Sequence, residues 1–449
     1  MEPVILSTSN GVGMGHLTRQ VTLALTALAE EQFEPVLFSL SGVLPTVASA
    51  MSRGDLPAMR HEFCPSRKSV WLPPRGLARR LRAVYPAYNW EPYFADRVVA
   101  LVQETGARAV VHDGVVAYAG LLAARRRLPG VAFVWVRRGF WKPSAARRFL
   151  DASSEFDLVV EPGDFAGESG PTAERDDATR VAPVSITAAI PPREVADARA
   201  ALGLDPERKA VLVAPSLGAI SDVATSARAV LNAIPREWQV AVTSPALARH
   251  GVGDGDDRVV ALRGIYPLAP LCTAFDAAIS GAGYNAVHEL LGLRVPTLLL
   301  PTPSGTDDQA ARSNRLAERG LALAADPADL RAVAAAVGEL LNGSAAERRR
   351  ADLAAACAGL PAPAGAHAMA QLIGERVSAA SSTSTAPLDP ARFGPPGWRS
   401  ALPDPRTPLT PLICEDLPDL GDQPVEHLIA GASPEYRRAR QRAAAWLYR

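Results

Sequence analysis

Two series of short, unbroken apolar runs, each run followed by a helical stretch, constrain the fold of this chain more than any other feature. In the first series, residues 4–6, 36–40, 109–112, 131–136 and 158–160 are strand candidates, and 16–30 is the helix after the first strand. The second series has strands at 210–214, 240–243, 259–262, 277–279 and 297–300. Helical stretches separate these, at roughly 221–234, 267–275, 284–293, 308–319 and 327–342. Runs of this length without polar alternation suit strands buried on both faces of a parallel sheet. Their alternation with helices predicts an α/β chain of two Rossmann-like, doubly wound units. The boundary falls between Val184 and Arg193, around Pro191-Pro192, giving a first unit of 1–186 and a second of 187–377. Two such units facing each other leave a cleft, a favoured place for a ligand.

Residues 378–449 read differently. From 378 to 412 the chain is rich in Ser, Thr, Ala and Pro, as a linker or extended wrap would be. The last stretch, 434–449, is helical in pattern, with Ala439, Ala443, Trp446 and Leu447 able to share one face and Arg437, Arg438, Arg440 and Arg442 around it. It docks on the body or meets an anionic membrane surface.

Composition removes several classes. The 449 residues are 48% hydrophobic and 21% charged, values of a globular protein with a real core. Lys plus Arg equals Asp plus Glu, 47 each, which argues against a broad nucleic-acid surface. Cys64, Cys272, Cys357 and Cys414 form no CxxC pair and read as free thiols in a reducing compartment. The first residues lack a basic segment followed by an apolar one, so no signal peptide is expected. No apolar run reaches 18 residues, so no membrane span is expected either. The expected location is the cytoplasm, with peripheral contact at the inner face of the cell membrane open.

The first strand leads into Ser9-Asn10-Gly11-Val12-Gly13-Met14-Gly15-His16, which opens a helix. Glycines allow close backbone approach, and free N–H groups at a helix start attract anions. The loop is neither a Walker loop nor a GxGxxG fingerprint, because the following residues and the glycine spacing differ. His16 at a helix start is held towards its neutral form by the positive end of the helix dipole. Two readings stand: a general base, or a histidine capping its own turn. Asp113, in Val111-His112-Asp113-Gly114 at a strand end, is its candidate partner or an alternative base; loop capping by His112 and Asp113 is the other reading.

The second unit carries the strongest pattern, running from Asp276 through Ser280, Gly281, Gly283, Tyr284 and Asn285 to Glu289. A strand ends at Ser280, a tight turn follows, and a helix starts near Gly283. Backbone N–H groups of 283–285 would then meet a diphosphate. Glu289, about a turn and a half into that helix, is placed to accept two hydrogen bonds from a ribose diol. Further on, Pro296 and Pro301 bracket a strand, and Asp307-Asp308-Gln309 opens another helix, with Asp308 also a candidate N-cap. Ser216 and Gly218 mark a third strand-to-helix turn nearer the start of the unit.

With these residues in place, the chain resembles the GT-B glycosyltransferases, and among them the family of the bacterial enzyme that adds N-acetylglucosamine to lipid I. Plant and macrolide UDP-glycosyltransferases share the same logic. The resemblance covers roughly residues 1–345 and is most specific over 264–320: Tyr266-Pro267, Asp276, Ser280 to Glu289, Pro296 and Asp308-Gln309. It implies a UDP-sugar donor, inversion at the anomeric carbon, and neither cofactor nor bound metal. It implies that Glu289 holds the ribose, that Ser280, Gly283, Tyr284 and Asn285 line the phosphate turn, and that Ser216 and Gly218 line the nucleotide pocket. Ile265 would face the uracil ring, and Gln309 with Asp308 the donor sugar. Gly13, Gly15 and His16 fall where the family has its N-terminal glycine–histidine loop.

Departures from the family matter. The loop reads Gly13-Met14-Gly15-His16 rather than Gly-Gly-His, and Gly281 and Tyr284 replace the histidine and tryptophan of the plant motif. The acceptor is therefore open: a glycan, a lipid-linked molecule or a small molecule, but not a nucleic acid. Trp71, Arg75, Arg79, Arg80, Tyr85, Tyr88 and Trp90 form either a basic, aromatic acceptor lip or a plain exposed loop and helix. Two rivals stand beside the transferase. One is a sugar-nucleotide hydrolase or epimerase of the same fold, since Gly13 to Arg19 matches a Gly-x-Gly-His-x-x-Arg run seen in some hydrolases. The other is a non-catalytic nucleotide-sugar-binding protein.

Overall fold

A computed structural model describes residues 1–9, 14–64, 77–144, 147–214, 228–243, 256–304 and 306–379, with the backbone alone for 77–90. The first unit contains β1 (Pro3–Thr8), α1 (Gly15–Ala29), β2 (Glu34–Ser39), α2 (Leu44–Arg53), β3 (Arg60–Phe63), α3 (Leu77–Thr105), β4 (Ala109–Asp113), α4 (Ala119–Arg127), β5 (Ala132–Val136), β6 (Leu158–Pro162) and β7 (Thr179–Val181). Its strands form one seven-stranded sheet in the order β3-β2-β1-β4-β5-β6-β7. Every pairing in it is parallel.

The second unit contains α5 (Val195–Leu202), β8 (Ala210–Ala214), α6 (228–233), β9 (Gln239–Thr243), β10 (Val259–Leu262), β11 (Ala277–Gly281), α7 (Tyr284–Gly292), β12 (Thr297–Leu300), α8 (Gln309–Glu318), β13 (Leu323–Ala324), α9 (Leu330–Leu341), α10 (Gly343–Cys357) and α11 (Gly365–Ala379). Its six strands are also all parallel, in the order β10-β9-β8-β11-β12-β13.

Burial explains the unbroken apolar runs. β4 and β5 are buried along their whole length, and β1 along all but its first residue, because helices cover both faces of the sheet. Val4, Leu6 and Val111 pack with Leu17 and Val21 of α1 on one face. Ile5, Val110 and Phe133 pack with Phe94 and Val98 of α3 on the other. The second sheet repeats the plan, with Val213 and Ile279 against Val333 and Val337 of α9, and Leu212 and Ala278 against Ala198 and Leu202 of α5.

Three strands fall outside the apolar pattern. β3 (Arg60-His61-Glu62-Phe63) and the short β7 and β13 are edge strands with water or loop beside them, so they need little apolar character. The stretch read as a helix over 267–275 is a 3-10 segment, Ala269–Ala274. Pro270, at the fourth position of such a helix, lacks the N–H that would make its first intrahelical bond.

The chain crosses back at its end. α11 lies on the first sheet, where Ala366, Met369, Ala370 and Ile373 join the core made by Leu17 and Val21 of α1. The crossing is close: Ser185 N–H donates to Pro363 O at 3.1 Å, and a Cβ on Gly365 would stand 1.9 Å from the Ala182 carbonyl oxygen. Only glycine fits there. A further apolar cluster spans the junction of the two units, joining Phe140 and Phe165 to Val287, Leu291 and Leu316. Residues 380–449, including Cys414 and the basic terminal stretch, lie outside the described residues; Cys64, Cys272 and Cys357 are buried and form no disulfide among the described residues.

Candidate active site

In open parallel sheets, ligands bind beyond the carboxyl ends of the strands where the strand order reverses, since the flanking loops there diverge. In the first sheet that point lies between β1 and β4, and in the second between β8 and β11. Both sheets place sequence-selected residues there. His16 follows β1, Asp113 ends β4, and Gly283 to Glu289 follow β11.

His16 and Asp113 meet: Nδ1 of His16 lies 2.6 Å from Oδ1 of Asp113. Asp113 is 1% exposed and His16 14%, so the carboxylate is sealed while the imidazole still reaches the cleft. Arg19, one helical turn beyond His16, takes both carboxylate oxygens. Its Nε donates to Oδ2 at 2.8 Å and its Nη2 to Oδ1 at 2.6 Å. Burial alone would raise the Asp113 carboxyl, but Arg19 and His16 outweigh it and hold the group down at about 2. Ionised Asp113 needs donors, so His16 donates through Nδ1–H and keeps its Nε2 lone pair free. Burial holds the His16 pKa below the usual imidazole value, and repulsion from Arg19 and Arg138 works in the same direction against the pull of Asp113. The result is a neutral imidazole whose Nε2 has no hydrogen-bonding partner among the described residues.

His112, next to Asp113, has a different job. Its Nε2–H donates to Val116 O at 3.3 Å, and its Nδ1 lies 3.3 Å from the Ser7 hydroxyl. Burial pushes its pKa down to about 4. It is a core histidine that pins β4 to its loop.

On the second sheet, α7 begins at Tyr284 with Gly283 at its N-cap in extended conformation. Among the described residues, no atom stands within 4 Å of where a Gly283 Cβ would be, so none of them closes the helix start. Asn285 Nδ2 donates to Gly15 O at 3.2 Å, which brings the beginnings of α1 and α7 together across the cleft. Tyr284 turns its hydroxyl the other way: it accepts from Val184 N–H and donates to Gly163 O, both at 2.9 Å. Its ring carries the Arg19 guanidinium, 5.1 Å from the ring centroid. Glu289 is half-buried and has no hydrogen-bonding partner among the described residues; desolvation pushes its carboxyl up to about 7.

The structure adds an ionic junction that the sequence did not disclose. Arg312 of α8 is fully buried and donates through Nε to Asp164 Oδ2, through Nη2 to Asp307 Oδ1 and through Nη1 to Ala282 O, at 2.8, 2.8 and 2.9 Å. Asp164 belongs to the first unit, so this arginine binds the two units together. Arg138, just beyond β5, reaches the same Asp307 with Nη1 at 3.6 Å. His288 accepts from Phe165 N–H through Nε2 at 3.0 Å and donates through Nδ1–H to Tyr284 O at 2.6 Å. The His16-x-x-Arg19 spacing of one helical turn signals Arg19 beside the base candidate, but no such spacing signals Arg312, Arg138 or His288.

The other selected residues have local duties. Ser280 is buried within β11, paired in register with Ala214 and Leu299. Asp308 caps α8, accepting from Ala311 N–H at 3.1 Å. Gln309 Oε1 accepts from Thr302 N–H at 2.9 Å and so closes the turn after β12. Ile265, beyond β10, packs against the core beside Leu268. Gly15 opens α1. Gly13, Ser216 and Gly218 lie outside the described residues, as do 65–76 with Trp71 and Arg75.

No family model matches the chain. By sequence it is similar to two enzymes described as UDP-N-acetylglucosamine--N-acetylmuramyl-(pentapeptide) pyrophosphoryl-undecaprenol N-acetylglucosamine transferase. That of Paenarthrobacter aurescens (strain TC1) is 30% identical over 141 residues, which are 30% of this chain and 37% of the relative. That of Clavibacter michiganensis subsp. michiganensis (strain NCPPB 382) is 28% identical over 307 residues, 65% of this chain and 78% of the relative. The first match thus spans little more than a third of the relative's length. By structure, the chain is similar to Phytolacca americana UGT2 complexed with UDP-2fluoro-glucose and pterostilbene, with a TM-score of 0.56 and 16% identity over 84% of this chain and 99% of that one. It is also similar to a putative UDP-N-acetylglucosamine 2-epimerase from Listeria monocytogenes, with a TM-score of 0.55 and 12% identity over 86% and 99%. Identities this low speak to fold alone. The chain has the GT-B fold, two facing doubly wound α/β units, and in sequence it resembles the lipid I N-acetylglucosaminyltransferases.

Proposed function

We propose that the chain is a glycosyltransferase that moves a hexose or N-acetylhexosamine from a UDP-sugar to an acceptor hydroxyl, with inversion and without a metal. The observation that carries this reading is the neutral, Asp113-backed imidazole of His16 set beside the open N-terminus of α7. In this reading residues 1–186 form the acceptor side and 187–377 the donor side.

The chemistry follows from the groups present. The acceptor O–H gives its proton to Nε2 of His16 as its oxygen attacks the anomeric carbon. Asp113, already ionised, steadies the ring as positive charge develops. The bond from the anomeric carbon to the diphosphate breaks on the opposite face, and UDP leaves with the electron pair. Backbone N–H groups at the start of α7 meet the charge on the diphosphate. Glu289, further along the same helix, accepts from the ribose diol, and Gln309 and Asp308 stand at the turn towards the sugar. The names of the sequence relatives describe a lipid-linked acceptor; here the acceptor class extends to glycans and small molecules.

The test is calorimetry against UDP, GDP, TDP and their sugar conjugates, followed by turnover with the sugar nucleotide that binds. Transfer should fall by at least about 100-fold in His16→Ala, while donor affinity changes little. Glu289→Ala should lose donor binding. Retention of transfer within a few-fold in His16→Ala refutes the base assignment. Release of free sugar without any acceptor favours a hydrolase, and binding without turnover a nucleotide-sugar-binding protein.

A further inference from the structure

We propose that Arg19 is a positioning residue for the reaction: it holds Asp113 in a two-point grip, fixes His16 as the Nδ1–H tautomer, and ties both to Tyr284 of the donor side. The proposal rests on the reading of His16 as the base.

The geometry allows few alternatives. Arg19 and His16 are three residues apart on α1 and share a face. Arg19 bonds both oxygens of Asp113, and the same Nη2 that meets Oδ1 lies 2.9 Å from Nδ1 of His16. A bare Nδ1 would face the carboxylate oxygen at 2.6 Å with no proton between two lone pairs. The proton therefore sits on Nδ1, and the guanidinium, paired with Asp113, lies beside the ring as a neighbouring cation rather than as a donor to it. Adding a second proton to the imidazole would place two cations in contact. A His–Asp pair without such an arginine would turn the full charge of the carboxylate on the imidazole and draw a proton to it.

Among the described residues, no other group does this. The charged and titratable groups around the pair are His112 and Asp113 on β4, Arg19 on α1, Arg138 beyond β5, and Tyr284 and Asp307 from the second unit. Arg138 has Asp307 as its charge partner, while among the described residues Arg19 alone touches both members of the pair. The Tyr284 ring under the Arg19 guanidinium is anchored at its hydroxyl by Val184 and Gly163, so the cation is fixed from the donor side as well.

The experiment is nitrogen-15 NMR of histidine-labelled full chain, with the His16 signal assigned by its absence in His16→Asn. Wild type should show the Nδ1–H tautomer at pH 7 and titrate below 6.5. Arg19→Met should raise the His16 pKa by at least about one unit. Arg19→Lys, which keeps the charge without the two-point grip, should keep the pKa low yet lose kcat at least about tenfold with KM for the donor little changed. A wild-type His16 in the Nε2–H form, or one titrating at or above 6.5, overturns the proposal even if no variant folds. So does an Arg19→Met pKa within 0.3 units of wild type, taking about 0.3 as the spread between repeat titrations. The titration needs no transferase activity. If the shifts appear in a protein with no turnover, the proposed function fails and the role of Arg19 in setting His16 stands.

Discussion

Donor binding should be linked to a proton on Glu289. This carboxyl is half-buried on α7 without a hydrogen-bonding partner among the described residues, and desolvation holds its pKa at about 7. A ribose diol donates two charge-assisted hydrogen bonds to a carboxylate, and weaker ones to the neutral acid. Nucleotide binding therefore favours the ionised form and lowers the pKa of the complex. The sign follows: below pH 7 the free protein must give up a proton in order to bind, so affinity falls as pH falls, and above about pH 8 it is flat. Relative to the alkaline limit, Kd should be about twofold weaker at pH 7 and about tenfold weaker at pH 6. With a bound-state value two units lower, the coupling is about 2.7 kcal/mol, and binding releases about 0.5 proton at pH 7 and about 0.8 at pH 6. Burial holds His288 at about 4, and Arg19 and His16 hold Asp113 at about 2, so neither titrates in this window, and Glu289→Gln separates Glu289 from His16. Calorimetry with UDP-N-acetylglucosamine at pH 6, 7 and 8, in two buffers of different ionisation enthalpy, measures both quantities. Glu289→Gln should bind more weakly and lose the pH dependence. A wild-type Kd that is constant from pH 6 to 8, or a glutamine variant that keeps the slope, refutes the reasoning.

Two further perturbations test the junction. Arg312→Met leaves Asp164 and Asp307 without their main cation and should cost about 3–5 kcal/mol in urea unfolding, whereas Arg349→Met, at an exposed pair with Glu339, should cost less than about 1 kcal/mol. Tyr284→Phe strands the Val184 N–H and the Gly163 carbonyl and should destabilise by about 1–3 kcal/mol, read in the same assay.

The interior strands were legible because burial on both faces demands unbroken apolar runs: β8 and β12 begin and end where the runs over 210–214 and 297–300 do. The edge strand β10 shares the signal because its residues 259–262 are all apolar. Edge strands such as β3 carry Arg60, His61 and Glu62 and escape that signal. The return of α11 to the first sheet was also hidden, since its apolar face specifies a need for cover but not which sheet supplies it. Among site residues, His16 and Asp113 were readable as candidates because one follows and the other ends a strand of the apolar pattern; that β1 and β4 lie side by side comes from the structure. Arg312, Asp164 and His288 were not, because a buried arginine looks like a surface one until its two carboxylates are found 5 and 148 residues away.

Those unread residues explain how two separately folded sheets present one site. Buried ion pairs gain little net stability over an apolar filling of the same volume, because desolvation offsets the attraction between the charges. They differ in geometry: an apolar contact tolerates sliding by an ångström, whereas a guanidinium bonded to Asp164, Asp307 and a carbonyl at 2.8 to 2.9 Å does not. The same holds for Tyr284, whose hydroxyl bridges Val184 and Gly163 while its backbone opens α7. Apolar contacts of Phe140 and Phe165 with Val287 and Leu316 supply the attraction across the junction, and the polar network sets the register. His16 rides on one unit and the helix start that faces it on the other, so their separation is only as exact as that register. The charged junction is thus part of the catalytic geometry, although in this reading none of its arginines touches a substrate.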